Sequence, residues 1–204
     1  MGKIHNIGVL ISGSGSNLQA IIDACAAGKI KARVACVISN KEDAYGLERA
    51  RLAGIPALHL DHHAYTGRES YDQALVATLR EFEVELVALA GFMRIITPVL
   101  LDAFPMSVMN IHPALLPSFP GLHAQRQALE YGAKVAGCTV HFVDCGTDTG
   151  PIILQAAVPV LEGDSEETLS ARIQKEEHRV YPEAIRLFTD GLLAVSGRIV
   201  AVGS

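Results

Sequence analysis

Three polar residues in the second half of the chain have the types and spacing that acyl transfer needs. Residues 109–113 read Met-Asn-Ile-His-Pro at the end of a predicted strand, so Asn110 and His112 point to the same side of it. An amide donates a hydrogen bond without titrating and an imidazole titrates near neutral pH, so the pair suits a developing oxyanion. Asp148 lies in a turn-forming segment, 144–151, where a carboxylate can hold an imidazolium and accept a proton.

Each of the three residues also has a structural interpretation when it is taken alone. Asn110 fits a strand-end cap, His112 a hydrogen-bonded core histidine, and Asp148 an Asx-turn residue. The residues themselves leave both interpretations open, and their joint occurrence is what favours chemistry.

A glycine- and serine-rich loop, Ser-Gly-Ser-Gly-Ser-Asn at 12–17, joins a predicted strand to a predicted helix. Backbone N–H groups at a helix N-terminus favour an anion. Leu18 stands where a dinucleotide fingerprint needs a third glycine, and the Gly-Lys-Ser/Thr of a P-loop is absent. The loop therefore suits a monophosphate better than NAD or ATP, with a plain strand-to-helix turn as the alternative.

The elements that must position these groups follow from the apolar periodicity. Strands are predicted at 6–12, 32–39, 56–60, 86–90 and 107–111, with helices beginning near residue 18 and covering 45–53, 68–82 and 125–131. Strands that are apolar throughout and alternate with helices indicate a parallel sheet covered on both faces. The predicted fold is therefore α/β, one domain with a doubly wound, mostly parallel, Rossmann-like sheet.

The last third of the chain predicts an antiparallel C-terminal portion of that sheet. Residues 137–143 and 152–160 read as two strands joined by a turn, and residues 191–202 as a small hairpin. Between them, Ser165 and the carboxylates after it predict the start of a long helix, with Pro182 as a kink point.

Composition excludes several classes of protein. The chain has 204 residues with 17 Lys and Arg against 22 Asp and Glu, which gives no basic field for gripping nucleic acid. Its apolar runs fall well short of the roughly 18 to 20 residues of a membrane span. Four cysteines occur without a Cys-x-x-Cys pair and the N-terminus lacks a signal-peptide pattern, so we expect reduced thiols in a cytoplasmic protein.

Five segments, in the family's order, make the chain resemble the folate-dependent formyltransferases over nearly its whole length. They read Ile-Ser-Gly-Ser-Gly-Ser-Asn-Leu (11–18), Leu-Ala-Gly-Phe-Met-Arg (89–94), Asn-Ile-His-Pro-Ala-Leu-Leu-Pro (110–117), Phe-Pro-Gly-Leu-His (119–123) and Thr-Asp-Thr-Gly-Pro-Ile-Ile-Leu-Gln (147–155). The glycine loop and the stretch 174–178 make it look like the members that formylate glycinamide ribonucleotide. Ser118 departs from the family, in which other members carry a basic residue there.

The resemblance implies transfer of a formyl group from 10-formyltetrahydrofolate, as co-substrate, to the amine of glycinamide ribonucleotide. Asn110, His112 and Asp148 are then the catalytic residues, and no metal is needed. The same resemblance divides the single domain, 1–204, into a phosphate-binding half at 1–105 and a folate and catalytic half at 106–204.

The resemblance also assigns the substrate contacts. Gly15, Ser16 and Asn17 match the positions that take the ribose phosphate, and Gln174 and Glu177 those that face the ribose. The folate falls to a larger set: Arg68, Met93, Arg94, Ile95, Ile96, Asn110, Asp144, Cys145, Gly146, Thr147 and Asp148. Ordinary core packing is the alternative for Met93, Ile95 and Ile96.

Other members of the family are the nearest alternatives. Enzymes that formylate nucleotide sugars share the Asn-x-His-Pro core, which therefore fixes the chemistry better than the substrate. Length and acidic charge count against a methionyl-tRNA formyltransferase, and length against a formyltetrahydrofolate hydrolase, because both are expected to carry an additional domain. A non-catalytic folate-binding module is the alternative from another class, and we expect a monomer or a weak homodimer.

Five further histidines need separate interpretations. His59, His62 and His63 have the residue types of a metal site, but a solvated loop is the favoured interpretation. His123 lies in the Pro-Gly-Leu-His motif beside the predicted site. His141 alternates with apolar neighbours on a predicted strand, as a buried, hydrogen-bonded histidine does.

Overall fold

The computed structural model describes residues 3–203, which form two compact units, the first ending at Asn110 and the second beginning at Ile111. The first unit alternates strands and helices in this order: β1 (His5–Ile11), α1 (Ser16–Ala26), β2 (Ala32–Ser39), α2 (Tyr45–Leu52), β3 (Ala57–His59), α3 (Arg68–Glu81), β4 (Leu86–Leu89), α4 (Pro98–Ala103) and β5 (Val108–His112). The unit boundary falls within β5.

The strands of the first unit lie in the order β3-β2-β1-β4-β5, and their pairings are parallel. β4 is buried over its whole length, as is β1 after His5, which explains why neither strand has a polar side. The chain builds outwards from β1 to β3 and then returns to β4, so the strand order reverses between β1 and β4. Open α/β sheets bind ligands outside the carboxyl ends of the strands at such a switch point.

The second unit contains α5 (Ala124–Tyr131), β6 (Val135–Phe142), β7 (Ile152–Pro159), α6 (Glu166–Thr189), β8 (Leu193–Ser196) and β9 (Ile199–Val202). Its strands lie in the order β6-β7-β9-β8. β6 and β7 pair antiparallel, as do β8 and β9, whereas β7 and β9 are parallel. α6 packs on β6 and β7 through its apolar face, which includes Leu169, Ile173, Val180, Ala184 and Ile185.

The predicted α/β class, the mostly parallel sheet and the antiparallel C-terminal strands are confirmed. The predicted strands and helices are present with ends shifted by one or two residues. Two short elements were not predicted, α4 and a 3-10 turn at His62–Ala64. α4 is too short to show helical periodicity. The sequence feature that marks its start is Pro98 at the first helical position, preceded by Thr97.

The predicted start of α6 is confirmed. Ser165 accepts a hydrogen bond from the backbone N–H of Thr168, and Glu166 and Glu167 occupy the first turn, where carboxylates stabilise the positive end of the helix. Pro182 lies inside the helix, and a kink there stays a prediction.

The cysteines carry no disulfide, because Cys25, Cys36, Cys138 and Cys145 are all free. Burial raises the pKa of Cys25 to about 11 and those of Cys36 and Cys138 to about 12. These three thiols therefore stay protonated and unreactive at neutral pH. Across residues 3–203, no helix combines the length and the apolar character that crossing a membrane requires.

Candidate active site

The glycine loop follows β1 at the switch point and is pressed against α2. Gly15 caps α1 with a φ of 70°, a left-handed conformation that favours glycine. A Cβ on Gly15 would lie 2.6 Å from the Cα of Gly46, and the Gly46 N–H donates to the carbonyl of Gly13 at 3.0 Å. Gly46 therefore supports the loop, although sequence reasoning passed over it.

Arg49 of α2 holds the same loop from the side. Its Nε donates to the carbonyl of Ser14 at 2.9 Å, and a terminal nitrogen donates to Gln19 at 3.3 Å. Within Ser16–Ala26, the first turn of α1 carries no acidic residue. The positive end of α1 and the Arg49 guanidinium together favour an anion here. The phosphate contacts of Gly15, Ser16 and Asn17 stay a prediction.

The segment 91–97 follows β4 and contacts the glycine loop. The backbone N–H of Met93 donates to Ser12 Oγ at 2.8 Å, and the N–H of Ser12 donates to the carbonyl of Gly91 at 3.0 Å. Met93 is 61% exposed and Ile95 59%, whereas Ile96 is 7% exposed. Core packing is thus the wrong interpretation for Met93 and Ile95, whereas Ile96 is buried; the folate contacts of the segment stay a prediction.

Two arginines that are predicted to contact the folate, Arg68 and Arg94, lie in the first unit. Arg68 is the first residue of α3 and is exposed. The guanidinium of Arg94 lies 4.8 Å above the ring centre of Tyr71, which is fully buried in α3. Stacking on the ring restricts the Arg94 side chain.

In the second unit, His112 and Asp148 form the pair that the sequence predicted. His112 Nδ1 lies 3.3 Å from Asp148 Oδ2, and the two side chains are 5% and 13% exposed. His112 Nε2 lies 2.9 Å from the carbonyl oxygen of Phe119. Both ring nitrogens face an acceptor, an arrangement that is fully satisfied when both carry a proton.

Asp148 receives further contacts, so its carboxylate links several segments. Its Oδ2 accepts the Gly121 N–H at 2.8 Å, and its Oδ1 lies 3.7 Å from His141 Nε2. Burial tends to raise the pKa of Asp148. The His141 side chain, the Gly121 N–H and the charge of His112 outweigh that tendency, so the pKa lies below its ordinary 3.8 and the carboxylate is ionised at neutral pH.

Asp144 closes a local turn. Asp144 Oδ1 accepts from the Gly146 N–H at 3.0 Å and from Thr149 Oγ1 at 2.6 Å. A Cβ on Gly146 would collide with Thr149 Oγ1, so the turn requires glycine there. Cys145, Gly146 and Thr147 are exposed, which leaves this loop open to a ligand.

Asn110 lies in β5, where it pairs in register with Leu89 of β4. It is half-buried and stands two residues before His112, which is 4% exposed. Strand alternation places the two side chains on the same face, as predicted.

Gln174 and Glu177 stand three residues apart on α6 and so share one side of that helix. Gln174 is exposed, and Glu177 is 8% exposed. Their contact with a ribose stays a prediction.

The remaining histidines divide into a surface group and a buried residue. Ligand atoms of Asp61, His62 and His63 lie within 4.8 Å of one another, but Asp61 Oδ1 already accepts the His63 N–H at 2.9 Å as the cap of the 3-10 turn. That no metal acts here stays a prediction. His141 is 2% exposed with Nδ1 2.8 Å from the carbonyl of Phe142, so its prediction as a buried, hydrogen-bonded histidine is confirmed.

The fold is an α/β sheet with polar residues following its strand ends, and comparison with known proteins shows the class of protein. Residues 5–185 match the model of the formyl transferase family, so the chain belongs to that family. It is 54% identical to phosphoribosylglycinamide formyltransferase of Escherichia coli (strain K12) over 188 residues. These aligned residues are 92% of this chain and 89% of that protein.

A solved structure and a longer relative agree with this assignment. The crystal structure of glycinamide ribonucleotide transformylase 1 from Symbiobacterium toebii superposes on this chain with a TM-score of 0.99 and 62% sequence identity. The match covers 100% of this chain and 96% of that one. The human trifunctional purine biosynthetic protein adenosine-3 is 47% identical over 199 residues, which are 97% of this chain and 20% of that protein.

Proposed function

We propose that the protein transfers the formyl group of 10-formyltetrahydrofolate to the amine of glycinamide ribonucleotide. The products are formylglycinamide ribonucleotide and tetrahydrofolate, in purine biosynthesis. The observation that carries the proposal is the ionised Asp148 held against His112, in a chain whose relatives are named for this reaction.

The first step is attack on the formyl carbon. The neutral amine forms a C–N bond, and the formyl oxygen takes up the electron pair of the C=O π bond. The Asn110 amide and protonated His112, which share one face of β5, donate hydrogen bonds to that oxygen. The ionised Asp148 carboxylate lies 3.3 Å from Nδ1 and stabilises positive charge on the imidazole in this step.

The Phe119 carbonyl competes with the oxyanion for His112. It lies 2.9 Å from His112 Nε2, the nitrogen that does not face Asp148. The substrate oxygen must therefore replace this carbonyl, and the backbone around Phe119 must shift when the intermediate forms.

The second step returns the electrons and moves one proton. The attacking nitrogen loses a proton, directly or through a water, to Asp148, whose lowered pKa keeps it available as a base. The tetrahedral intermediate collapses, the bond from carbon to N10 of the folate breaks, and N10 takes up the proton. No covalent intermediate with the protein is needed.

Binding falls to residues around these groups. The ribose phosphate is assigned to Gly15, Ser16 and Asn17 at the N-terminus of α1, and Arg49 adds a positive charge there. Gln174 and Glu177 are assigned to the ribose. The folate is assigned to Arg68, to the segment 93–96 with its exposed Met93 and Ile95, and to the loop 144–148.

Location and assembly complete the proposal. Four free cysteines support a cytoplasmic location. The predicted assembly is a monomer or a weak homodimer, and the exposed apolar residues Val195, Ile199 and Val202 of β8 and β9 offer a surface for the homodimer. Sedimentation over a range of concentrations tests the assembly.

The test mixes purified protein with 10-formyltetrahydrofolate or its dideaza analogue and glycinamide ribonucleotide, and follows deformylated folate by absorbance. Release that depends on the amine supports the proposal. Release without the amine identifies a hydrolase. Folate binding without any release identifies a binding module, and both outcomes contradict the proposal.

A further inference from the structure

Asp72 is a buried carboxylate of α3 to which the mechanism gives no part. It is 2% exposed, and its Oδ2 accepts two hydrogen bonds from Thr97, one from the backbone N–H and one from Oγ1, both at 2.7 Å. Thr97 directly follows the folate-assigned segment 93–96 and is the residue before α4. A single carboxylate oxygen thus fixes both the backbone and the side chain at the end of that segment.

The residue next to Asp72 holds the same segment at a second point. The Tyr71 ring lies under the guanidinium of Arg94 at 4.8 Å, and Tyr71 is fully buried. At a third point, Ser12 Oγ accepts the N–H of Met93 at 2.8 Å. The segment is therefore anchored through residues 93, 94 and 97.

These polar anchors matter because, of the three apolar side chains in the segment, only Ile96 is buried. Met93 is 61% exposed and Ile95 is 59% exposed, so burial of these side chains contributes little to holding the backbone. Hydrogen bonds to a charged acceptor are stronger than those between neutral groups. Among the anchors, the carboxylate of Asp72 is thus the one that the geometry favours for setting the position of the segment.

We infer that Asp72 is a positioning residue that holds the segment 93–97 in the conformation that binds the folate co-substrate. The inference rests on the proposed function, because that function assigns Met93, Arg94, Ile95 and Ile96 to the folate. Asp72 itself touches neither substrate nor reacting atoms in this account. Its loss should weaken folate binding while the chemical step stays intact.

The test compares Asp72→Ala with Asn6→Ala as a matched control. Asn6 is also a buried polar residue of the first unit, 8% exposed, and it donates to the carbonyls of Phe82 and Glu83 at the opposite end of β1 from the glycine loop. Both variants lose buried hydrogen bonds and are expected to lose stability.

For Asp72→Ala we expect KM for the formyl-folate to rise about tenfold or more, since hydrogen bonds to a charged group are lost. The kcat and the KM for glycinamide ribonucleotide should stay within about twofold. Asn6→Ala should change none of these constants. An unchanged folate KM in Asp72→Ala, or equal changes in both variants, would overturn the inference.

If Asp72→Ala does not fold, the inference is tested by the folate KM of two milder variants and by hydrogen exchange. Asp72→Asn and Thr97→Val each remove part of the anchor, and each should raise the folate KM in the same direction by a smaller factor. Hydrogen exchange should become faster at the amides of residues 93–97 and stay unchanged at the glycine loop. Parental KM and exchange rates in both variants would also overturn it.

Failure of the inference can be told apart from failure of the proposed function. Binding of a 5,8-dideazafolate analogue is measured by calorimetry with the parent and with Asp72→Asn. If the parent binds none, the proposed function fails. If the parent and the variant bind equally well, the folate-binding part of the proposed function stands and the role of Asp72 falls.

Discussion

Asp72 in the first unit and Asp148 in the second are both carboxylates withdrawn from water, and their pKa values move in opposite directions. Burial raises the pKa of Asp72 by more than the Thr97 hydrogen bonds and the charges of Arg94 and Arg68 lower it. Burial also acts on Asp148, but there the His141 side chain, the Gly121 N–H and the charge of His112 lower the pKa further than burial raises it. The hydrogen bonds to Asp72 come from the neutral amide and hydroxyl of Thr97, whereas two imidazoles face Asp148.

The difference indicates which carboxylate does chemistry. A carboxylate that accepts hydrogen bonds from neutral donors can hold a backbone segment in place, and this role does not require it to exchange a proton. A carboxylate between imidazoles stays ionised and can pass a proton on. We therefore expect changes in the first unit before β5 to affect binding constants and stability, and changes at Asn110, His112 and Asp148 to affect the rate.

The largest expected effect is on the oxyanion donors. His112→Ala or Asn110→Ala should lower kcat by about 100- to 1000-fold, because one donor to the developing charge is lost. Steady-state kinetics measures this, with circular dichroism to establish that the fold is retained. Activity within about tenfold of the parent would remove these residues from the oxyanion site.

Asp148→Asn sharpens the comparison directly. The variant keeps the shape of the side chain but loses the base and the charge beside His112, so we expect kcat to fall about 100-fold with little change in either KM. Asp72→Asn serves as the matched isosteric change in the first unit, and its kcat should stay near that of the parent. Equal losses of kcat in the two variants would erase the distinction between the two carboxylates.

Gly15→Ala tests whether the first unit governs binding. The new methyl group would meet Gly46 Cα at 2.6 Å at a φ of 70°, so we expect a loss of about 1–3 kcal/mol in the free energy of unfolding and a higher KM for the phosphorylated amine. Denaturant unfolding and kinetics measure both. Gly13→Ala is the control, since among the described residues a Cβ there meets nothing within 4 Å. Similar behaviour of the two variants would contradict the close packing at Gly15.

The smallest expected effect is a pH dependence of stability with opposite signs. The pKa of Asp148 in the folded protein lies below 3.8, so Asp148 stabilises the fold above about pH 4 and this stabilisation is lost as pH falls through the lowered pKa. The pKa of Asp72 lies above 3.8, so ionised Asp72 costs stability, and that cost appears as pH rises from about 4 through the raised pKa.

Urea unfolding of the parent, Asp148→Asn and Asp72→Asn between about pH 3 and 7 measures these terms, because each asparagine removes one titration. On acidification, the advantage of the parent over Asp148→Asn should shrink. The parent should gain relative to Asp72→Asn at higher pH than this, as pH falls through the raised pKa of Asp72 towards about 4. The same sign for both differences would contradict the assigned pKa directions.

The sequence predicted those parts of the fold and site that depend on local pattern. Apolar strands fixed the α/β class, and the spacing of Asn110 and His112 placed them on one face of β5 because strand alternation is a local property. The Gly loop was likewise visible from its position between a strand and a helix.

Contacts between distant segments were not predictable in this way. Arg49 and Gly46 support the glycine loop from another helix, and no local pattern links them to it. Asp72 reads as a polar position on an amphipathic helix, which is normally a solvated face. The Phe119 carbonyl faces His112 because the chain folds back with φ of 54° at Phe119, a conformation that the residue type does not indicate.

The most direct test of the central claim follows the formyl carbon itself. Parent protein is mixed with 10-formyltetrahydrofolate labelled with ¹³C in the formyl group and with glycinamide ribonucleotide, and the carbon is followed by NMR. The account predicts that the label appears as the formamide of formylglycinamide ribonucleotide and that His112→Ala slows its appearance by about 100-fold or more. Label that appears as free formate, or equally fast transfer by His112→Ala, would contradict it.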